Sequence, residues 1–182
     1  WSLGDNEVAV REYTAAMTAA AAGSYWLTES RAAGALAFFH IRHTRNFGEA
    51  RRALMRPVFD RAIPQARTYG DYYFGLLATE TGDARTSLRR LRRGEAIARR
   101  TGDRGIEMAF VNERAVVLAS LGRWSEALDL VDALLRAPDL HNACMRAALL
   151  SNKAWYTLLG GQDPSVIGPT LDKAIRLYAP SD

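Results

Sequence analysis

Apolar and polar residues follow a helical rhythm along this chain, and short turn-like dipeptides interrupt it at near-constant intervals. Gly4-Asp5, Arg45-Asn46, Gly82-Asp83, Gly122-Arg123 and Gly161-Gln162 lie 41, 37, 40 and 39 residues apart in succession. A period of this kind marks a repeat architecture, in which each unit leaves an apolar face for its neighbour to cover. After the first four dipeptides, small and large residues return at helical offsets. The sets are Ala9, Tyr13 and Ala16; Phe47, Ala50 and Leu54; Ala84, Ser87 and Leu91; and Trp124, Ala127 and Val131. Steps of three and four residues place each set on one stripe, which predicts helices that a neighbour can approach closely.

The segments before the turns have helical patterns too. Their apolar faces are Leu36, Phe39 and His43 with Ile41 nearby; Phe74, Leu77 and Ala78; Phe110, Ala115, Leu118 and Leu121; and Leu150, Ala154, Leu158 and Leu159. Glycine just past such a run suits a left-handed helix end, where a side chain would be strained. Thr28 is a candidate N-cap, and Asp163-Pro164 has the cap-then-proline order of a helix start. No stretch alternates with period two for long enough to predict a sheet.

Gly122-Arg123-Trp124-Ser125-Glu126-Ala127-Leu128 resembles the core of a tetratricopeptide repeat. Gly4-Asp5 with Ala9, Tyr13 and Ala16 is similar to it, and Gly75 stands where that family's first helix carries glycine. The resemblance covers essentially the whole chain in about four and a half units, and it implies one all-α domain over residues 1–182. That domain is expected to be a right-handed solenoid of antiparallel helix pairs. The period exceeds the family's usual length of roughly 34. Arg100-Thr101-Gly102-Asp103-Arg104 resembles the link between helix pairs in extended-repeat relatives. The last unit is irregular, with extra residues from Gly160 to Pro169 and only Ala174 and Tyr178 as clear marks of its second helix. Only Trp1-Ser2-Leu3 precede the first dipeptide, where a full helix is expected, so the chain is read as part of a longer protein.

In the family, the first helix of each pair lines a concave wall. The resemblance therefore implies a ligand face of Phe39, Arg42, His43, Tyr69, Tyr72, Leu76, Asn112, Val116, Asn152 and Trp155. Tyrosine and tryptophan give large contact area at low entropy cost, and asparagine can pair with a peptide amide. Helix packing is the competing reading of every one of these residues. The family's carboxylate clamp is not matched, because Leu36, Tyr73 and Glu113 occupy its positions and only Asn152 fits.

Composition narrows the chemistry. The chain has 48% apolar and 24% charged residues, ordinary for a globular protein, and no apolar run approaches a membrane-spanning length. The N-terminal residues lack the basic patch, apolar core and cleavage site of a signal peptide. One cysteine, Cys144, excludes an internal disulfide and a cysteine zinc cage, and it fits a reducing, cytoplasmic setting. The net charge of +4 is almost all arginine on the positive side, Lys153 and Lys173 being the lysines. Abundant arginine and alanine also fit the coding bias of a GC-rich bacterial genome.

Catalytic constellations are weak. His40 and His43 lie a helical turn apart without a carboxylate or cysteine to complete a metal shell, and helix-face histidines are the simpler reading. His141 and Cys144 are three apart with no orienting third residue. No phosphate-binding glycine loop is present. Neither a metal nor a cofactor is read from the sequence. Arg85, Arg89, Arg92, Arg93 and Arg100 form a basic stripe opposite Leu88, Leu91 and Ala98. Such a stripe can follow a phosphate backbone, but it lacks aromatics for stacking on bases, and a solvated helix face explains it more simply.

The chain is thus expected to be a non-catalytic scaffold that binds a protein or peptide. Two alternatives remain. One is the regulatory array of a multidomain bacterial enzyme, caspase-like protease or signalling ATPase. The other, ranked last, is nucleic-acid binding through the stripe. The oligomeric state is left open.

Overall fold

The computed structural model describes residues 3–59, 63–161, 165 and 167–178, and among these the secondary structure is entirely helical. Gln162 and Asp163-Pro164, the expected last turn and helix start, lie outside the described residues, as does the side chain of Tyr178.

Helix α1 spans Leu3–Ala22, so Gly4-Asp5 is not a turn but the opening of a helix. A first turn tolerates glycine and favours an acidic residue beside the positive end of the helix dipole. The stripe expected on α1 is corrected as well. Tyr13 is 37% exposed and Ala16 is exposed, whereas Met17 and Ala20 are buried and Val10 packs against the core. Alanine on every side of α1 carries little phase information, so the larger Val10 and Met17, seven residues apart, select the buried face.

A turn through Gly23 and Ser24, the latter at φ 58°, leads into α2, Trp26–Phe39. The N-cap is Tyr25, with no capping side chain, and Thr28 lies inside the helix. That expectation fails because the Tyr25 carbonyl already accepts the Glu29 N–H, starting the new helix three residues earlier. α2 continues as a π-helical turn over His40–Thr44 and stops at Arg45, φ 52°. α3 (Phe47–Leu54) follows at once, with the Asn46 side chain accepting the Glu49 N–H at 3.1 Å.

After a 3-10 turn at Pro57–Phe59 comes α4, Pro64–Glu80, with proline in its first turn, where no intrahelical N–H partner is lost. Gly82 at φ 81° ends it, and Asp83 caps α5 (Ala84–Thr101) by accepting the Thr86 N–H at 3.0 Å. That bond holds the Asp83 carboxyl below the usual carboxylate range. Gly102 at φ 75° closes α5, and Asp103 accepts the Ile106 N–H at the start of α6, Arg104–Ser120. Gly122, also at φ 75°, separates α6 from α7 (Trp124–Leu135). Asn142 then caps α8, Ala143–Leu159, and α9 runs over Ile167–Tyr178. Arg45-Asn46, Gly82-Asp83 and Gly122-Arg123 thus fall between helices, as expected, and Gly161 has φ 72°.

The chain divides into two compact units, Trp1–Glu107 and Met108–Asp182. In the first, α1 packs on α2, α2 on α3 and α4, and α4 on α3 and α5. Its core holds Ala33, Ala37, Ile41, Ala50, Leu54, Val58 and Leu76. Small residues on α2 allow a close approach to α4, and a Cβ built at Gly34 would overlap the ring of Tyr73. In the second unit, α7 packs on α8 and α8 on α9. Its core gathers Ala115, Leu118, Ala127, Val131, Leu149 and Tyr156.

Candidate functional site

The residues expected to form a ligand face separate into core and surface. Leu76 has no exposed area and Phe39 only 4%, so both serve the core of the first unit and offer nothing to a ligand. They lie on the apolar stripes of α4 and α2, which burial against neighbouring helices consumes. His43 is exposed and stacks on Phe39 at 5.2 Å between ring centres. Arg42 is held by Glu80 (Nη1 to Oε1, 2.6 Å), which also accepts Arg45 at 3.0 Å. Tyr69 accepts a hydrogen bond from Arg31 at 3.2 Å, and half-buried Tyr72 meets Tyr73 edge-on at 5.2 Å. Burial raises the Tyr73 phenol to about 12, with smaller contributions from Tyr69 and Tyr13. Of the clamp positions, Leu36 and Glu113 are buried and Tyr73 is half-buried.

In the second unit the expected residues come together more clearly. Asn152 on α8 donates from Nδ2 to Oδ1 of Asn112 on α6 at 2.9 Å, a contact across 40 residues of sequence. Both amides are half-buried, as is Val116, one turn beyond Asn112. Trp155, one turn beyond Asn152, is 56% exposed. An amide pair bonded once retains a donor and an acceptor on each member for a third party.

No group of three or more metal-binding side chains occurs among the described residues. His40 is buried, with Nδ1 3.2 Å from the Thr44 hydroxyl, and burial lowers its pKa. His43 points its chemistry elsewhere, against Phe39. His141 precedes the N-cap of α8 while Cys144 is inside the helix, so the pair does not share a helical face, and Cys144 is an exposed free thiol.

The basic stripe is exposed at Arg85, Arg89, Arg92, Arg93 and Arg100, but it is not uniformly free. Arg93 makes a two-pronged ion pair with Asp71 on α4, through Nε at 2.6 Å and through Nη2, and Arg90 reaches the same carboxylate at 3.1 Å. The hydrogen bond to Asp71 raises the Arg93 pKa further. Arg89 donates to the Thr86 hydroxyl at 3.4 Å. Arg85, Arg92 and Arg100 make no ion pair among the described residues. On the next face of α5, Arg99 ties Glu95 to Glu107, where α6 begins.

Asp71 carries no signal in the sequence. Its side chain is fully buried, and with Arg90 and Arg93 it lines a cleft of about 850 Å³ among α3, α4 and α5. Leu54, Phe59, Phe74 and Leu77 supply the apolar lining, with Met55 at the mouth, 67% exposed. Arginines three apart on α5 were visible as letters, but their partner depends on how α4 pairs with α5.

No helix among the described residues is long and apolar enough to cross a membrane. No protein-family model matches the chain, and no curated protein is significantly similar to it.

Proposed function

We propose that this chain is a protein-interaction module of the tetratricopeptide type, a solenoid of helix pairs whose first helices bind an extended peptide. The observation that carries this reading is the Asn112–Asn152 amide pair with Trp155 exposed beside it. Half-buried amides on adjoining helices satisfy one another once and keep capacity for a peptide N–H and C=O, while an exposed indole provides an apolar anchor. The succession α2–α3, α4–α5, α6–α7, α8–α9, with a helix-breaking dipeptide inside each pair, supports the repeat assignment. α1 stands before the first pair. The reading assigns no chemistry to the histidines or the thiol, and binding through shape and hydrogen bonding needs none.

Selection of peptides from a displayed library against the protein tests the reading. Peptides it enriches should lose about 2 kcal/mol of affinity to Asn112→Ala or Trp155→Ala, the scale of an interface hot spot. Trp155 is exposed, so its replacement should leave the helical circular dichroism unchanged. Enriched peptides that bind both variants as well as the parent, or a selection that enriches nothing, would sink the proposal.

A further inference from the structure

We propose that the cleft among α3, α4 and α5 is a second docking site, one that takes an acidic peptide segment with an apolar anchor side chain. Charge complementarity identifies the occupant. Arg51, Arg67, Arg90 and Arg93 line the cleft against Asp71 and Asp83, four positive groups to two negative, leaving +2. Neither acid competes for an incoming ligand on equal terms. Asp71 is fully buried and bound by two guanidiniums, and Asp83 is occupied in capping α5. The effect of Asp71 is to fix two arginines in place. Arg93 commits Nε and Nη2 to it and Arg90 commits Nη1, whereas a guanidinium has five N–H donors. The remaining donors belong to side chains that are 57% and 34% exposed. Guanidiniums held this way lose little entropy when they donate to a carboxylate, which favours acidic side chains. Arg51 and Arg67 line the cleft with exposed side chains, and among the described residues they make no ion pair.

The apolar half of the site specifies the rest. Leu54 and Leu77 are buried beneath it and Met55 stands open at its edge, an unbranched thioether that adapts to an inserted side chain. Phe74 cannot offer a stacking face to a nucleic-acid base, because the Arg90 guanidinium lies over its ring at 5.0 Å. A recessed apolar lining under a basic rim fits one inserted side chain flanked by carboxylates better than it fits a flat bilayer. The site is also separate from the tyrosines of α4. At about 100° of rotation per residue, Asp71 and Phe74 lie across that helix from Tyr69 and Tyr72. All of its residues belong to the first unit, so its fate is independent of the asparagine pair.

The test is fluorescence anisotropy with a short labelled peptide of aspartate and glutamate around a central Leu-Phe. The comparison probes are the same peptide with lysine at each acidic position, phosphatidylglycerol vesicles and a single-stranded oligonucleotide. The acidic peptide should bind, with affinity that falls as salt rises. Arg51→Glu combined with Arg67→Glu should weaken it by about tenfold or more. Met55→Asp should weaken it several-fold, and Arg100→Glu, on α5 but outside the cleft, should leave it within about twofold since salt screens distant surface charge. All three variants alter exposed residues, and unchanged circular dichroism verifies their folding. The proposal is overturned by absent binding, by equal affinity for the lysine peptide, by equal losses in the Arg51/Arg67 and Arg100 variants, or by binding confined to vesicles or the oligonucleotide.

Discussion

At the scale of single residues, burial decides what each polar side chain does. Tyr73 shows this in a measurable way. Its phenol is raised from 10.0 to about 12, chiefly because burial disfavours the phenolate. In the unfolded chain it ionises near the ordinary value, so between the two pKa values the unfolded state holds fewer protons than the folded one. The stability contributed by the neutral phenol is complete below pH 10 and is lost as the pH rises toward 12, at up to about 1.4 kcal/mol per pH unit. Tyr156 is shifted in the same direction by burial. Urea unfolding at a series of alkaline pH values should show this decline, and Tyr73→Phe should make it shallower; an unchanged slope would mean that the phenol is hydrated. None of this was legible in the sequence. Tyr69, Tyr72 and Tyr73 are alike as letters, and only the approach of α2 distinguishes them. Asp71 was invisible for the same reason, since a carboxylate inside a helix gives no hint that two arginines of the following helix will cover it.

At the scale of elements, close approach between helices depends on missing side chains. Gly34 is buried on α2 against Tyr73, where a methyl group has no room. Gly34→Ala should destabilise the protein by about 1–3 kcal/mol through overpacking, despite the better helix propensity of alanine. Tyr73→Leu in the same chain should recover part of the loss; additive losses in denaturation would show that the two sites do not meet. Helix boundaries were the most readable feature at this scale. Gly82-Asp83 and Gly122-Arg123 mark real stops because a left-handed glycine ends one helix and the next residue begins another. Gly4-Asp5 misled because the same two letters are equally at home in a helix's first turn. The exposed stripe of α1 misled for a related reason, alanine being compatible with burial and with solvent.

At the scale of the molecule, helices contact their neighbours in sequence, and each unit has its own core. Proteins held together by neighbour contacts lose structure in parts rather than all at once. The tryptophans allow this to be followed. With Trp1→Phe and Trp26→Phe in place, fluorescence reports only Trp124 and Trp155 of the second unit, while circular dichroism reports both units. The two urea curves are expected to separate. Coincident curves would establish one cooperative transition and remove the independence of the units. The near-constant spacing of turns made the succession of helices partly readable, because Arg45-Asn46, Gly82-Asp83 and Gly122-Arg123 mark where one helix gives way to the next. Where a core closes cannot be read from the spacing, since Ala33, Ala115 and Ala127 reach complete burial while the similar Ala16 does not.

The bond between Asn112 and Asn152 also bears on orientation. Rotating both carboxamides by half a turn keeps one N–H···O link between them but exchanges which of the two turns its amide nitrogen, and which its oxygen, away from the pair. On the peptide-binding reading proposed above, a guest chain running N-to-C or C-to-N would meet equivalent partners, so its polarity would have to be dictated by side chains, with the indole of Trp155 the first feature that tells one end from the other.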